Sequence, residues 1–164
     1  MAQRPSFDLN SVSTADKILV GGTVLFLIDS ILPWQRACAA VFGPVKVCGS
    51  ASMWGGDGSW AGVLAGILAL LLLVGVGLQM ANVQMPAELP VANIMAGLTL
   101  GTVVFGLLKF ILIITNHSYV FAYIGLILLL AIAYGGYMKM QEPKVASAAP
   151  PPPPPAPGTG GLTP

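Results

Sequence analysis

The chain has 164 residues, of which 55% are hydrophobic and only 8% charged, with a formal net charge of +1. Globular domains carry roughly 25% charged residues, so this composition excludes an ordinary soluble fold. It also excludes nucleic acid as a partner, because a phosphate backbone is held by several clustered cations. What remains is an all-α membrane protein: a bundle of four transmembrane helices with a disordered, Pro-rich C-terminal tail.

A hydrocarbon core about 30 Å thick is crossed by roughly 20 apolar residues at 1.5 Å rise. After a polar segment, 1–17, the apolar pattern predicts a four-helix transmembrane domain over 18–138. Its first span is 18–34, ILVGGTVLFLIDSILPW. A cleaved signal peptide is the rival reading here, since Lys17 precedes the apolar run and Ala37-Cys38-Ala39 resembles a cleavage site. Arg36 beside that site and Asp29 within the run argue for an uncleaved anchor. An outer loop, 35–60, follows.

The second span, 61–80, contains no charge, and Pro86 and Pro90 punctuate the short polar connection behind it. The third and fourth spans, 91–115 and 119–138, are separated only by Asn116, His117 and Ser118, which makes them antiparallel neighbours. Asn116-His117-Ser118 matches a glycosylation pattern by chance, because so short a turn cannot leave the membrane surface. Tyr119 and Tyr123 at one end of the fourth span, with Tyr134 and Tyr137 at the other, mark two interfaces. Gly62/Gly66 and Gly97/Gly101 form one GxxxG each in the second and third spans, the pattern that lets helix backbones approach closely in lipid.

Orientation follows the Lys and Arg residues. Arg4, Lys17, Lys139 and Lys144 lie on the side of both termini, against Arg36 and Lys46 in the outer loop. The expectation is a multi-pass cell-membrane protein with both termini cytoplasmic.

Cys38 and Cys48, the only two cysteines, share the outer loop. On an oxidising face they are expected to form a disulfide that stabilises the loop by about 2–3 kcal/mol. Quinone-linked thiol oxidoreductases use a C-x-x-C pair, which this spacing does not provide. A metal site is not expected either, since His117 is the only histidine.

Asp29 and Lys109 are the two charges inside spans, both roughly 7–9 Å from the outer boundary at 1.5 Å per residue. An ionised group at that depth requires a partner or water. The expectation is an intramembrane ion pair between them or a snorkelling Lys109, and the functional rival is an ion or proton path. The tail, 139–164, contains Pro150 to Pro155 in an unbroken run. Such a segment forms an extended polyproline II arm, either a spacer with no dedicated partner or an arm that aromatic-lined grooves bind.

Ser13-Thr14-Ala15-Asp16-Lys17-Ile18, followed by Phe26-Leu27-Ile28-Asp29 and Leu32-Pro33-Trp34, resembles the start of a group of small four-span integral membrane proteins of actinobacteria. These share a Trp- and Gly-containing outer loop and a low-complexity, often Pro-rich end. The resemblance is specific over the first thirty-five residues and implies location and topology, without an activity. The separation of the two cysteines is also similar to that in claudin-type tetraspan proteins, but the Gly-Leu-Trp that precedes the pair there is missing, and Trp54 follows it.

No catalytic residue, metal or cofactor is expected, because no nucleophile and base, metal cluster or phosphate loop is apparent. The expected role is a non-enzymatic assembly or accessory component of a membrane complex. Its partners would be the lipid bilayer, membrane proteins or further copies of itself, and a protein that binds the Pro-rich tail. The alternative is a small transporter or channel subunit that uses Asp29 and Lys109.

Overall fold

The computed structural model describes residues 13–42, 45–81, 90–114 and 119–142. Helix α1 (Thr14–Ile31) is followed by strands β1 (Pro33–Phe42) and β2 (Val45–Ser52) and then by helices α2 (Ser59–Met80), α3 (Val91–Ile114) and α4 (Val120–Gln141). The His117 turn and the Pro-rich run lie outside the described residues.

Local chemistry sets the helix ends. Ser13 caps α1 by accepting the Asp16 amide at 3.2 Å, and Asp16 adds a negative charge to the first turn. At the other end Pro33 forces Leu32 into an extended conformation, so α1 stops at Ile31. The expected first span, 18–34, is therefore displaced toward the N-terminus, and Trp34 belongs to β1. Gly58, in a left-handed conformation with φ 66°, precedes α2. Pro90 precedes α3, and its carbonyl accepts the Asn93 and Ile94 amides.

The helices pack as a ring in which α1 touches α2 and α4, and α3 touches the same two, leaving α1 and α3 on a diagonal. Lys139 near the end of α4 meets Asp16 at the start of α1, so the two ends nearest the termini share one face of the bundle. Small and polar side chains fill much of the interior: Ala61, Ala65 and Ala69 of α2 and Thr102 of α3 are fully enclosed. Large apolar side chains point outward on all four helices, among them Leu25, Ile28, Leu71, Val74, Leu100, Ile111, Ile127 and Leu130. This arrangement suits a lipid solvent, where helices associate by close packing of small residues rather than by escape from water.

Three helices, α2, α3 and α4, are long and apolar enough to cross a membrane. α1 differs in carrying Asp16, Lys17 and Asp29 within its eighteen residues. Trp60 and Tyr123 are exposed toward the hairpin end, and Tyr134 and Tyr137 toward the other.

The expectation of an all-α chain needs one correction: the outer loop, 35–60, contains an antiparallel hairpin with Cys38 directly opposite Cys48. One face carries Arg36, Cys38 and Ala40 opposite Ser50, Cys48 and Lys46, and the other carries Ala37 and Ala39 opposite Gly49 and Val47. The sequence conceals these strands because Arg-Ala-Cys-Ala-Ala lacks polar-apolar alternation and Ala is a poor strand former. A lone two-stranded hairpin is marginal in water, and here the Cys38–Cys48 disulfide ties its strands together.

Candidate functional site

Where the hairpin meets the bundle, a cluster of polar side chains is buried between α1, α3 and the turn 53–58. Asp29, on the last turn of α1, is 4% exposed. Its carboxylate Oδ2 accepts the indole N–H of Trp34 at 3.1 Å, and its carbonyl accepts the same N–H at 3.1 Å. Trp34 is completely buried, with its ring edge-on to Phe26 and above Gly125 of α4, where an added Cβ would strike both the indole and Asp29. The Tyr119 amide donates to the Trp34 carbonyl at 3.0 Å, joining the start of α4 to β1. Arg36 sits over the Tyr119 ring, 5.9 Å from its centroid.

Ser30 links a second indole to the helix. Its hydroxyl accepts Trp54 Nε1 at 3.0 Å and donates to the Leu27 carbonyl at 2.6 Å, while its own carbonyl accepts the Met53 amide at 3.2 Å. Gln35 makes a reciprocal pair with the backbone of Asp57, accepting its amide at 3.1 Å and donating to its carbonyl at 2.9 Å.

Lys109 of α3 is completely buried, and its ammonium donates to the carbonyls of Gly55 at 2.8 Å and Asp57 at 2.5 Å. The expected ion pair between Asp29 and Lys109 is not formed: Asp29 holds Trp34, and Lys109 holds the turn that follows the hairpin. The two residues lie on α1 and α3, which are diagonal in the ring. Nor does Lys109 reach solvent, since its side chain is completely buried. Asp29 Oδ1 and, further along α1, Thr23 Oγ1 are buried without a hydrogen-bond partner among the described residues.

The two GxxxG pairs behave differently. An added Cβ at Gly62 would strike the Met53 carbonyl, and one at Gly66 would strike the Trp54 ring, so both glycines admit the post-hairpin turn rather than another helix. Gly101 does make helix contact, with Leu68 of α2 filling its space, whereas Gly97 faces open space. Other close helix contacts occur at Gly22 against Ile132, Gly106 against Leu129 and Gly136 against Thr99. The expectation of helix-to-helix packing therefore requires correction at Gly62, Gly66 and Gly97.

Trp34, Trp54, Ser30 and Gln35 complete the cluster, although sequence reasoning did not single them out as a site. The available signal was the pair of tryptophans flanking the cysteines, since a buried indole requires an acceptor for its N–H. The disulfide between Cys38 and Cys48 is present, on an exposed part of the hairpin. No group of three or more His, Cys, Asp or Glu suited to a metal occurs among the described residues.

At the opposite end of the bundle, Lys139 pairs with Asp16 at 2.8 Å and Glu142 at 3.1 Å. These three charges line a cavity of about 450 Å³ to which all four helices contribute. Comparison with protein-family models, curated proteins and solved structures gave no match in any of the three.

Proposed function

We propose that the chain is a four-span integral protein of the cell membrane, with both termini cytoplasmic, that acts as a non-enzymatic assembly component of a membrane complex. The observation that carries this reading is the use of Lys109: a wholly buried ammonium is committed to two carbonyls of the turn behind the hairpin. Together with the Asp29–Trp34 and Ser30–Trp54 hydrogen bonds, it holds a disulfide-linked, exposed hairpin in one orientation on the bundle. A rigid outward surface loses little entropy when a partner binds it.

α1 supplies the fourth span in this reading. Its eighteen residues reach about 27 Å, and Val24, Leu25, Ile28 and Ile31 face outward beside the lipid-facing side chains of the other helices. Asp16 is paired at the end of the bundle and Asp29 is buried, which leaves Lys17 to reach headgroups from the first turn. The excess of Lys and Arg beside the termini supports the orientation.

The test is purification of the full chain in mild detergent, alongside a form lacking residues 143–164 and an Arg36→Glu/Lys46→Glu form. Stable co-purifying membrane proteins, lost in either altered form, are the expected result; a lone oligomer unaffected by both changes refutes the assembly role. Alkylation in native membranes checks the topology. Thiols that react from outside only after reduction fit it, and freely reactive thiols overturn it.

Asp29 Oδ1 and Thr23 Oγ1, buried without a partner among the described residues, favour a second reading, a small transporter or channel subunit. Under it, Asp29→Asn leaves a folded protein with intact partners and abolishes flux in reconstituted vesicles.

A further inference from the structure

The Cys38–Cys48 disulfide is accessible as well as structural. Residues 36–40 and 46–50 are all exposed, so both of its cysteines meet solvent beyond the bundle. They face each other in a sheet of two strands, and no third strand among the described residues flanks either sulfur. Exchange begins when an external thiolate attacks one sulfur and the other departs, so its rate depends on such access.

The charge around the disulfide has one sign. Arg36 and Lys46 share its face of the hairpin, each two residues along the strand from one of the cysteines, which sets their Cα atoms roughly 7 Å from those of Cys38 and Cys48. Strands 33–42 and 45–52 contain no Asp or Glu, and neither cation forms an ion pair among the described residues. Arg36 rests over Tyr119, a contact with a ring rather than a carboxylate. Two uncompensated cations attract an anion and favour the thiolate that is released when the disulfide opens.

We propose that Cys38–Cys48 is a thiol-exchange site selective for small thiols that carry a carboxylate. The incoming thiolate forms an S–S bond with one cysteine while the other leaves as a thiolate beside Arg36 or Lys46. A second small thiolate then attacks the non-protein sulfur of this mixed disulfide. Two small thiols become one small disulfide, and the protein takes up their two electrons and, through water, two protons. Exchange thus removes the covalent tie between the strands. It requires the hairpin to stand outside the lipid and is independent of the assembly role, because it is read on the chain alone.

The test uses the full chain in phosphatidylcholine nanodiscs, whose surface adds no net charge, with mercaptopropionate, mercaptoethanol or cysteamine. Mixed disulfides are trapped with acid and counted by intact mass, and each rate is divided by that of the same thiol with hydroxyethyl disulfide to cancel intrinsic nucleophilicity. Two cations about 7 Å away in water are worth roughly fivefold to one negative charge at about 0.01 M ionic strength, so mercaptopropionate should exceed mercaptoethanol by about that factor and cysteamine should fall below both. In about 1 M salt, with a Debye length of about 3 Å, the three should agree within about twofold. Lys46→Gln should remove part of the preference and Arg36→Gln/Lys46→Gln all of it, and the salt series on the unaltered chain keeps the test independent of how the variants fold. Equal rates at low salt, a preference that survives in the double variant, or a disulfide that none of the thiols opens overturns the proposal.

Discussion

Replacing Lys109 with Met keeps most of the side-chain volume and removes the buried ammonium. Two charge-assisted hydrogen bonds, to Gly55 and Asp57, are lost, each contributing about 1.5–3 kcal/mol. Against this stands the cost of keeping an ammonium out of water, also several kcal/mol, which the variant no longer bears. The two largely cancel, so bundle stability should fall by only about 1–2 kcal/mol. The local effect is larger, because the turn 53–58 loses its tie to α3 while the apolar bundle gains nothing that would hold it. A local loss of about 3 kcal/mol corresponds to roughly a hundredfold in the opening equilibrium. Hydrogen exchange in detergent micelles measures both quantities: amides of 53–58 should lose about two orders of magnitude of protection, with those in the middle of α2 and α3 changing far less. Uniform loss across the bundle, or unchanged protection in the turn, would refute the assignment of Lys109 to the turn. The combined Asp29→Lys/Lys109→Asp exchange is a further check. Rescue of either single variant would mean that the two charges interact directly, and none is expected.

Three other expectations follow from the contacts. Gly66→Ala places a methyl group against the Trp54 indole and disturbs its bond to Ser30, so thermal unfolding should register a loss of about 1–3 kcal/mol, whereas Gly97→Ala, facing open space, should lie within about 0.5 kcal/mol of the parent; equal effects would show that Gly66 does not accommodate Trp54. Reducing Cys38–Cys48 should destabilise the outer part of the hairpin by about 2–3 kcal/mol and open its exposed strands beyond Gln35 to protease without shifting the melting of the bundle, and a shared loss of both would show that the two are coupled. The Glu142 carboxyl is held below its ordinary value of 4.5, first by its hydrogen bond with Ser13 and also by Lys139, with partial burial opposing. The folded protein therefore binds this proton less readily than the unfolded one. The resulting stability is present above pH about 4.5 and is lost as the pH falls through the lower folded value. Glu142→Gln should flatten that acid limb of the stability profile, and an unchanged limb would assign it to other groups.

Hydropathy was sufficient to place most of the helices. Apolar runs located α2, α3 and α4 within a few residues, because helix length in lipid is dictated by backbone satisfaction and bilayer thickness rather than by neighbours. The first run was misplaced at its end, although Pro33 was visible, because apolarity continues through Leu32 to Trp34 after helical geometry has stopped. Distance along the helix was legible for Lys109, which precedes the end of α3 by five residues, whereas Asp29 stands only two residues from the end of α1 because the helix stops at Ile31.

Which helices become neighbours is a different kind of information. Asp29 and Lys109 stand toward the hairpin end of helices that pack diagonally, Asp29 hydrogen-bonded to Trp34 of the hairpin and Lys109 to the turn behind it. GxxxG spacing likewise marks places where something can approach closely without naming what approaches. At Gly66 the occupant is an indole from the post-hairpin turn, at Gly101 a leucine from α2, and at Gly97 nothing among the described residues. The outer hairpin was illegible for a related reason, as its strands are ordered by a cross-strand disulfide and by buried contacts at its base rather than by their own propensities. One-dimensional patterns report the solvent each residue prefers and its position along an element. Directional hydrogen bonds, and the partners that satisfy them, were decided only when the chain closed into its ring.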